Sequence, residues 1–243
     1  MLDTSSSTTF VYTWLGCVSL TSFPLLDTSS CTNFLGTWND CSSLTSFPLI
    51  DTSSGTNFNS SWYECENLIN FPLIDTSAGT SFVATWMRCR DLTSIPALDL
   101  SSGTNFQQAF QECENITSFG PLDMSSGTNF ANTWRRCYDL TSFPAVNFSS
   151  GTTFAGAWQE CTSLATFPAN MFDTVTATNF TNAFLNTNLS QTSIDNILVS
   201  IETAGTSNGT FNQSGGSAPS ATGEAAIDAL RARGWTVVVT GGY

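Results

Sequence analysis

Cysteine is the residue of this sequence best suited to chemistry. Seven of the eight cysteines fall at positions 17, 41, 65, 89, 113, 137 and 161, one every 24 residues. A thiol can join a disulfide, ligate a metal or act as a nucleophile. Zinc is disfavoured at once, because the chain has no C-x-x-C pair and no His. Levels of a parallel stack lie about 4.8 Å apart, inside the Cα range of disulfides, so neighbouring cysteines could pair. The competing reading, which we favour, is a column of buried thiols serving as small hydrophobes. Cys31 stands outside the series, in a turn slot that later copies give to Gly. It reads as exposed or half-exposed, and open to reaction.

Carboxylates recur in the same way. Asp3, Asp27, Asp51, Asp75, Asp99 and Asp123 share one slot, and Asn147 continues it. Like charges so spaced repel, and a calcium column could neutralise them. Alternatively each Asp accepts N–H bonds from its own Thr-Ser turn. Asn147 favours the turn, since an amide does that work without charge. Serines and acids are abundant but repeat from copy to copy, whereas a catalytic site needs one singular constellation. With neither His nor Lys, the expectation is a non-enzyme with no catalytic residues, no cofactor and no bound metal. The net charge of −13, with six basic residues that are all Arg, disfavours nucleic acid and anionic membranes as partners. Asp40, Glu64, Arg88, Glu112, Arg136 and Glu160 share one slot, and Glu66, Arg90 and Glu114 another. They predict ion pairs between successive copies, each worth under about 1 kcal/mol.

The elements that carry these columns follow from the period. Trp14, Trp38, Trp62, Trp86, Phe110, Trp134 and Trp158 precede the cysteines by three residues, and a Phe stands four residues before each. Phe106, Phe110 and Cys113 are thus spaced i, i+4, i+7, which predicts one face of a short helix capped by Thr104 or Asn105. The run Leu20, Phe23, Leu25 predicts a short strand with alternate residues inward. Asp-Thr-Ser-Ser-Gly predicts a turn in which Gly55, Gly79, Gly103, Gly127 and Gly151 take a positive φ. One such unit cannot close a core, but stacked units can, which predicts a solenoid. An eighth, degenerate unit from Phe172 to Phe184 has a two-residue insertion and no Cys. Beyond it come an amphipathic helix through Ile194, Ile197, Leu198 and Ile201, and a turn at Asn208-Gly209. A loop over 214–223, a second helix over 225–233 and a strand over 235–239 complete the chain.

The unit D-T-S-S-G-T-N-F-x-x-x-W-x-x-C-x-x-L-T-S-F-P-L-I resembles the BspA-like leucine-rich repeat, in its D-T-S variant of mycoplasma-type surface proteins. The likeness runs from residue 1 to about 188. It departs from that pattern in preferring Trp before the Cys and in placing a Pro in the strand. The resemblance implies a leucine-rich-repeat solenoid with short parallel strands over 1–188, to which the period gives about seven to eight rungs, and the helices and strand of 189–243 read as a small α/β cap on the last rung, so the fold class expected is α/β. The resemblance also implies surface attachment or partner binding.

Two places are left for function. Adjacent apolar pairs such as Leu25-Leu26 and Leu49-Ile50 end each predicted strand. If the first of each pair points inward, then Leu26, Ile50, Ile74, Leu98, Leu122 and Val146 form an outward apolar stripe, a partner-binding surface. A corner at Asp would instead bury both. The N-terminal unit has no cap, so Phe10 and Trp14 should form a docking face, covered by another copy of the chain or by a preceding domain. The expected function is therefore a non-enzymatic surface or virion protein, an adhesin or receptor-binding module for a protein or cell-surface glycan receptor. The alternative is a structural subunit assembled through its first rung. No membrane-spanning run and no secretory signal occur in the sequence as written. The location expected is extracellular, at a cell surface or in a virion.

Overall fold

Aromatic residues that recur every 24 positions can all be buried only if successive units lie in register, and the backbone shows that register. In the computed structural model, which describes residues 3–243, parallel bridges join Thr9 to Asn33, Asn33 to Asn57, Asn57 to Ser81 and Ser81 to Asn105. They continue through Asn129 and Thr153 to Asn179. The last step absorbs the two-residue insertion read from the sequence. A second column of bridges runs through Ser22, Ser46 and Asn70, and from Ser142 to Thr166. Within it lie β1 (Ser94–Ile95) and β2 (Ser118–Phe119), which pair in parallel. The molecule is of the α/β class, with parallel pairing at each strand contact.

The Phe-to-Cys segment is not the helix its spacing predicts. Its N–H groups alternate between two kinds of partner. Those of Phe34, Gly36, Trp38 and Asp40 donate to the carbonyls of Asn57, Asn59, Ser61 and Tyr63 in the next unit, at 2.8–2.9 Å. Those of Thr37, Asn39 and Cys41 donate three residues back within their own unit. An α-helix would spend every donor internally and leave none for a neighbour. The alternation requires a left-handed residue twice per unit, as at Gly36 (φ 58°) and Asp40 (57°), or Ser60 (53°) and Glu64 (59°). Each non-glycine in that region costs roughly 1 kcal/mol, and the bond it makes to the next unit offsets that cost. The i, i+4, i+7 spacing still delivers Phe, Trp and Cys to one side, so the inward face is as expected although the backbone is not.

The turn glycines are also needed for a different reason from the one expected. Gly55, Gly79, Gly103, Gly127 and Gly151 are not left-handed. They are small because aromatic rings lie against them. A Cβ on Gly79 would meet Phe82 Cζ at 2.4 Å and the Thr76 carbonyl at 3.0 Å.

Inside the units the side chains form columns. Trp38 and Trp62 stack at 5.2 Å and 13°, and Trp134 and Trp158 at 5.1 Å and 10°. Phe34 and Phe58 stack at 5.4 Å and 4°. A second phenylalanine column meets the indoles edge-on, as Phe47 meets Trp38 at 4.7 Å and 76°. The backbone carbonyls beside them are covered by small hydroxyls: Thr85 Oγ1 donates to Phe58 O at 2.9 Å and Ser61 Oγ to Phe34 O at 2.7 Å.

The bridge column continues into the C-terminal region. β3 (Asn179–Phe184), β4 (Thr210–Gln213) and β5 (Thr236–Val238) pair in parallel in that order. Helix α1 (Gln191–Thr203) is capped by Ser190 and covers the predicted apolar positions. It docks on the preceding unit where Phe167 N–H donates to Ser193 Oγ at 3.0 Å. Helix α2 (Ala221–Ala232) starts four residues earlier than its apolar pattern implies, because Ser220 caps it. Asp195 of α1 holds that cap through Ser220 N–H at 3.0 Å, and Arg233 pairs with Glu202 at 3.0 Å.

Candidate interaction surface

The chemistry-bearing columns are occupied by the fold. All eight cysteines are free. From Cys41 onward each thiol of the 24-residue series donates to the carbonyl of the aromatic residue one unit earlier, for example Cys65 to Trp38 at 3.2 Å and Cys161 to Trp134 at 3.0 Å. Burial pushes the Cys41 thiol up to about 11, and the Cys65 and Cys89 thiols well above their ordinary range. These are thiols, not thiolates, at neutral pH. Cys31 is buried, contrary to expectation. Its side chain fits where later units need Gly because Phe10 is tilted 37° from Phe34 and stands 6.2 Å away, where later pairs stack flat. Cys17 is the exposed thiol.

Each Asp of the 24-residue column turns its carboxylate onto its own loop. In Asp51, Oδ1 accepts the Ser53 N–H at 3.0 Å and the Ser53 hydroxyl at 2.7 Å. Asn147 accepts the Ser149 N–H at 3.0 Å in the same way. The Ser hydroxyl and N–H hold the Asp51 and Asp99 carboxyls below their usual value. Among the described residues no group of three or more His, Cys, Asp or Glu side chains is placed to hold a metal ion.

The charged slots pair across units as expected. Arg88 bridges Glu64 and Glu112, Arg90 bridges Glu66 and Glu114, and Arg136 bridges Glu112 and Glu160. Glu112 is the centre of this network and the most buried of its carboxylates. Burial alone would raise its carboxyl. The hydrogen bonds from Gln111 and Arg88, with the charges of Arg88 and Arg136, outweigh burial and hold it below the usual glutamate range.

The expected apolar stripe is displaced by one residue. Ile50, Ile74, Leu98, Leu122 and Val146 are buried and Leu26 is half-buried, so they do not form an outward surface. At three of these pairs the cause is a tight turn after the proline. The N–H of Ile50 donates to Pro48 O at 3.0 Å, that of Ile74 to Pro72 O at 2.9 Å and that of Leu98 to Pro96 O at 2.7 Å. This two-residue reach breaks the alternation of a strand and returns the second side chain to the core. The first residue of each pair is left outside. Leu25, Leu49 and Leu73 are 72%, 64% and 61% exposed, and Ala97, Pro121 and Ala145 continue the row.

The first level differs from the docking face expected of it. Phe10 is only 4% exposed, because it tilts onto Trp14 at 5.4 Å instead of stacking. Trp14 is half-buried, with Trp38 stacked against it at 5.8 Å. The apolar surface here comes instead from Val11, Tyr12, Leu15 and Val18, all exposed. A shallow depression beside them is lined by residues 16–20. Most of the molecule's large exposed apolar side chains therefore belong to its first three units. No helix among the described residues is long and apolar enough to cross a membrane.

Comparisons with protein-family models and with curated proteins find no match to this chain.

Proposed function

We propose that the chain is a leucine-rich-repeat solenoid of seven to eight rungs over 1–188 with a cap over 189–243. In this reading it acts by binding a protein partner at a cell or virion surface, without catalysis. The observation that carries the reading is the row of Leu25, Leu49 and Leu73, three large apolar side chains held in water at the same place in successive units. A soluble chain gains nothing from such exposure, and a contiguous apolar row marks a contact surface. Backbone-defined spacing makes the row rigid, so little ordering entropy is lost on binding. Leucine side chains suit a protein partner better than a glycan. The repeat pattern D-T-S…F-x-x-x-W-x-x-C supports the leucine-rich-repeat assignment.

The test is saturation binding of labelled chain to intact cells before and after surface proteolysis, alongside the triple variant Leu25→Ser, Leu49→Ser, Leu73→Ser. Circular dichroism checks that the variant folds. Saturable, protease-sensitive binding weakened about tenfold or more by the variant is the expected result, since each buried leucine is worth about 1.5 kcal/mol or more. Binding that the variant leaves unchanged, or that depends on glycans alone, would remove the proposal.

A further inference from the structure

The leucine row has a direction and a spacing. Leu25, Leu49 and Leu73 share one slot of successive units, so the row runs along the stack. It is pinned on both sides. Three residues before the leucines, parallel bridges join Ser22 to Ser46 and Ser46 to Asn70. Three residues after Leu25 and Leu49, the hydroxyls of Thr28 and Thr52 donate to the Asp51 and Asp75 carbonyls. Neighbouring parallel strands lie about 4.8 Å apart, so the three leucines span about 10 Å. A helix laid along the row repeats its inner face about every 5.4 Å and slips by only about 1 Å over that span. An extended segment presents a side chain to one face about every 6.7 Å and falls out of step by about 4 Å. A helix can therefore seat an apolar side chain in each gap of the row, and an extended segment cannot.

The row also has a charged flank. Two residues after each leucine stand Asp27, Asp51 and Asp75, all exposed. Oδ1 of each accepts the N–H and the hydroxyl of its own loop serine, Ser29, Ser53 or Ser77. Among the described residues Oδ2 of each has no hydrogen-bond donor. The nearest arginines in sequence, Arg88 and Arg90, are held by Glu64, Glu66, Glu112 and Glu114. An apolar row bordered by unneutralised carboxylates fits a partner that carries cations beside its apolar side chains. A second copy would offer the same leucines bordered by the same carboxylates, with no cation to meet them.

We propose that the row seats a basic amphipathic helix of a partner protein, lying along the stack. Its apolar side chains, three and four residues apart, fill the gaps between Leu25, Leu49 and Leu73. Lysine or arginine side chains on one flank reach Oδ2 of Asp27, Asp51 and Asp75. The proposal rests on the leucine-row reading and adds to it the conformation and charge of the partner.

The probe is a labelled peptide of about 15 residues, long enough for an isolated helix to persist, with leucine at helical spacing and lysine elsewhere. Fluorescence anisotropy titrations with the full chain compare it with two controls. One has glutamate in place of lysine, and the other keeps the lysines but carries a central proline that breaks the helix. Saturable binding of the lysine peptide about tenfold or more tighter than either control is the expected result. The triple variant Leu25→Ser, Leu49→Ser, Leu73→Ser should weaken it about tenfold or more. So should Asp27→Asn, Asp51→Asn, Asp75→Asn, whose remaining binding should lose most of its salt dependence. That second variant keeps its turns, because Asn147 accepts the Ser149 N–H at 3.0 Å in the same slot. Binding that the leucine variant leaves unchanged is attraction of charge alone and would overturn the proposal. Equal binding of the glutamate or the proline peptide would do the same, as would self-association through the leucines, which makes a second copy the occupant. Cell binding that needs the leucines, without affinity for the lysine peptide, removes the helix and leaves the surface reading standing. Peptide binding that needs both rows, without cell binding, upholds the helix and removes the surface reading.

Discussion

A thiol is a weak hydrogen-bond donor, and its use here depends on size as much as on polarity. At Cys89 the sulfur lies 3.1 Å from Trp62 O, a carbonyl that already accepts the Cys65 N–H. A larger polar group would not fit beside stacked indoles, and an alanine would leave the carbonyl with one partner fewer. The period made this column legible in the sequence, and the absence of His excluded zinc. Cys31 was misread because its environment is set by the tilt of Phe10, which no local pattern encodes. Accessibility therefore separates Cys17 from the rest. One thiol per native chain should react with an aromatic disulfide reagent at about pH 8, and all eight after denaturation. Cys17→Ser should react with none until unfolded. Fast reaction of a second thiol in the native Cys17→Ser chain would contradict the packing described.

Within the unit, the segment from Phe to Cys shows how a spacing can be right about a face and wrong about a backbone. Phe, Trp and Cys share a side in a helix and share it equally in the alternating turns found here. The signal that separates the two lies in two other slots. Gly36, Gly156 and Asn132 share the first, and Gly16 marks the second. Glycine and asparagine tolerate a left-handed φ, for which a helix interior has no use. The second slot also carries the charge ladder, so Glu64, Arg88, Glu112 and Arg136 project from left-handed residues. Glu112→Gln should cost about 1–2 kcal/mol, because Arg88, Arg90 and Arg136 then share an uncharged partner, and their own exposure limits the loss. Because the Glu112 and Glu160 carboxyls are held below their usual value, their contribution is fully present above the ordinary glutamate pKa near 4.3. It is lost as pH falls through the lower folded values. Thermal melts should therefore drop steeply below about pH 4 in the wild type and less so in Glu112→Gln. Parallel pH profiles would contradict this.

At the scale of the molecule, stability should be a sum over levels and their contacts. Deleting residues 28–51 joins Asp27 to Thr52 and restores the repeat pattern across the junction. It also leaves the arginine network intact. That chain should fold cooperatively and melt within a few degrees of the wild type by circular dichroism. Deleting residues 28–39 removes half a unit and puts residues 3–27 out of register with the stack that follows, so it should lower the melting temperature more than the whole-unit deletion does, although the levels from residue 51 onward keep their contacts. Register was the most legible property of the sequence, since seven aligned copies fix it. The facing of the strand exits was less so, although a sign was present. The second residue of each pair stays large through Leu98, Leu122 and Val146, while the first shrinks to Ala97, Pro121 and Ala145. A position that keeps its bulk along the stack is the core position.

The indole column has a consequence for how the protein handles light. Trp14, Trp38, Trp62 and Trp86 stack in unbroken sequence at 5.2–6.0 Å. Phe110 then interrupts them before Trp134 and Trp158. At such separations excitation hops between neighbouring rings faster than it is emitted, but a phenylalanine cannot relay it. The buried indole N–H groups of Trp38, Trp62, Trp86, Trp134 and Trp158 have no oxygen or nitrogen partner, so emission from these rings should be blue for tryptophan. Energy should therefore migrate within a run of four rings and within a separate pair. Trp62→Phe should split the run, whereas Phe110→Trp should fuse the two groups into one conduit through the body of the molecule.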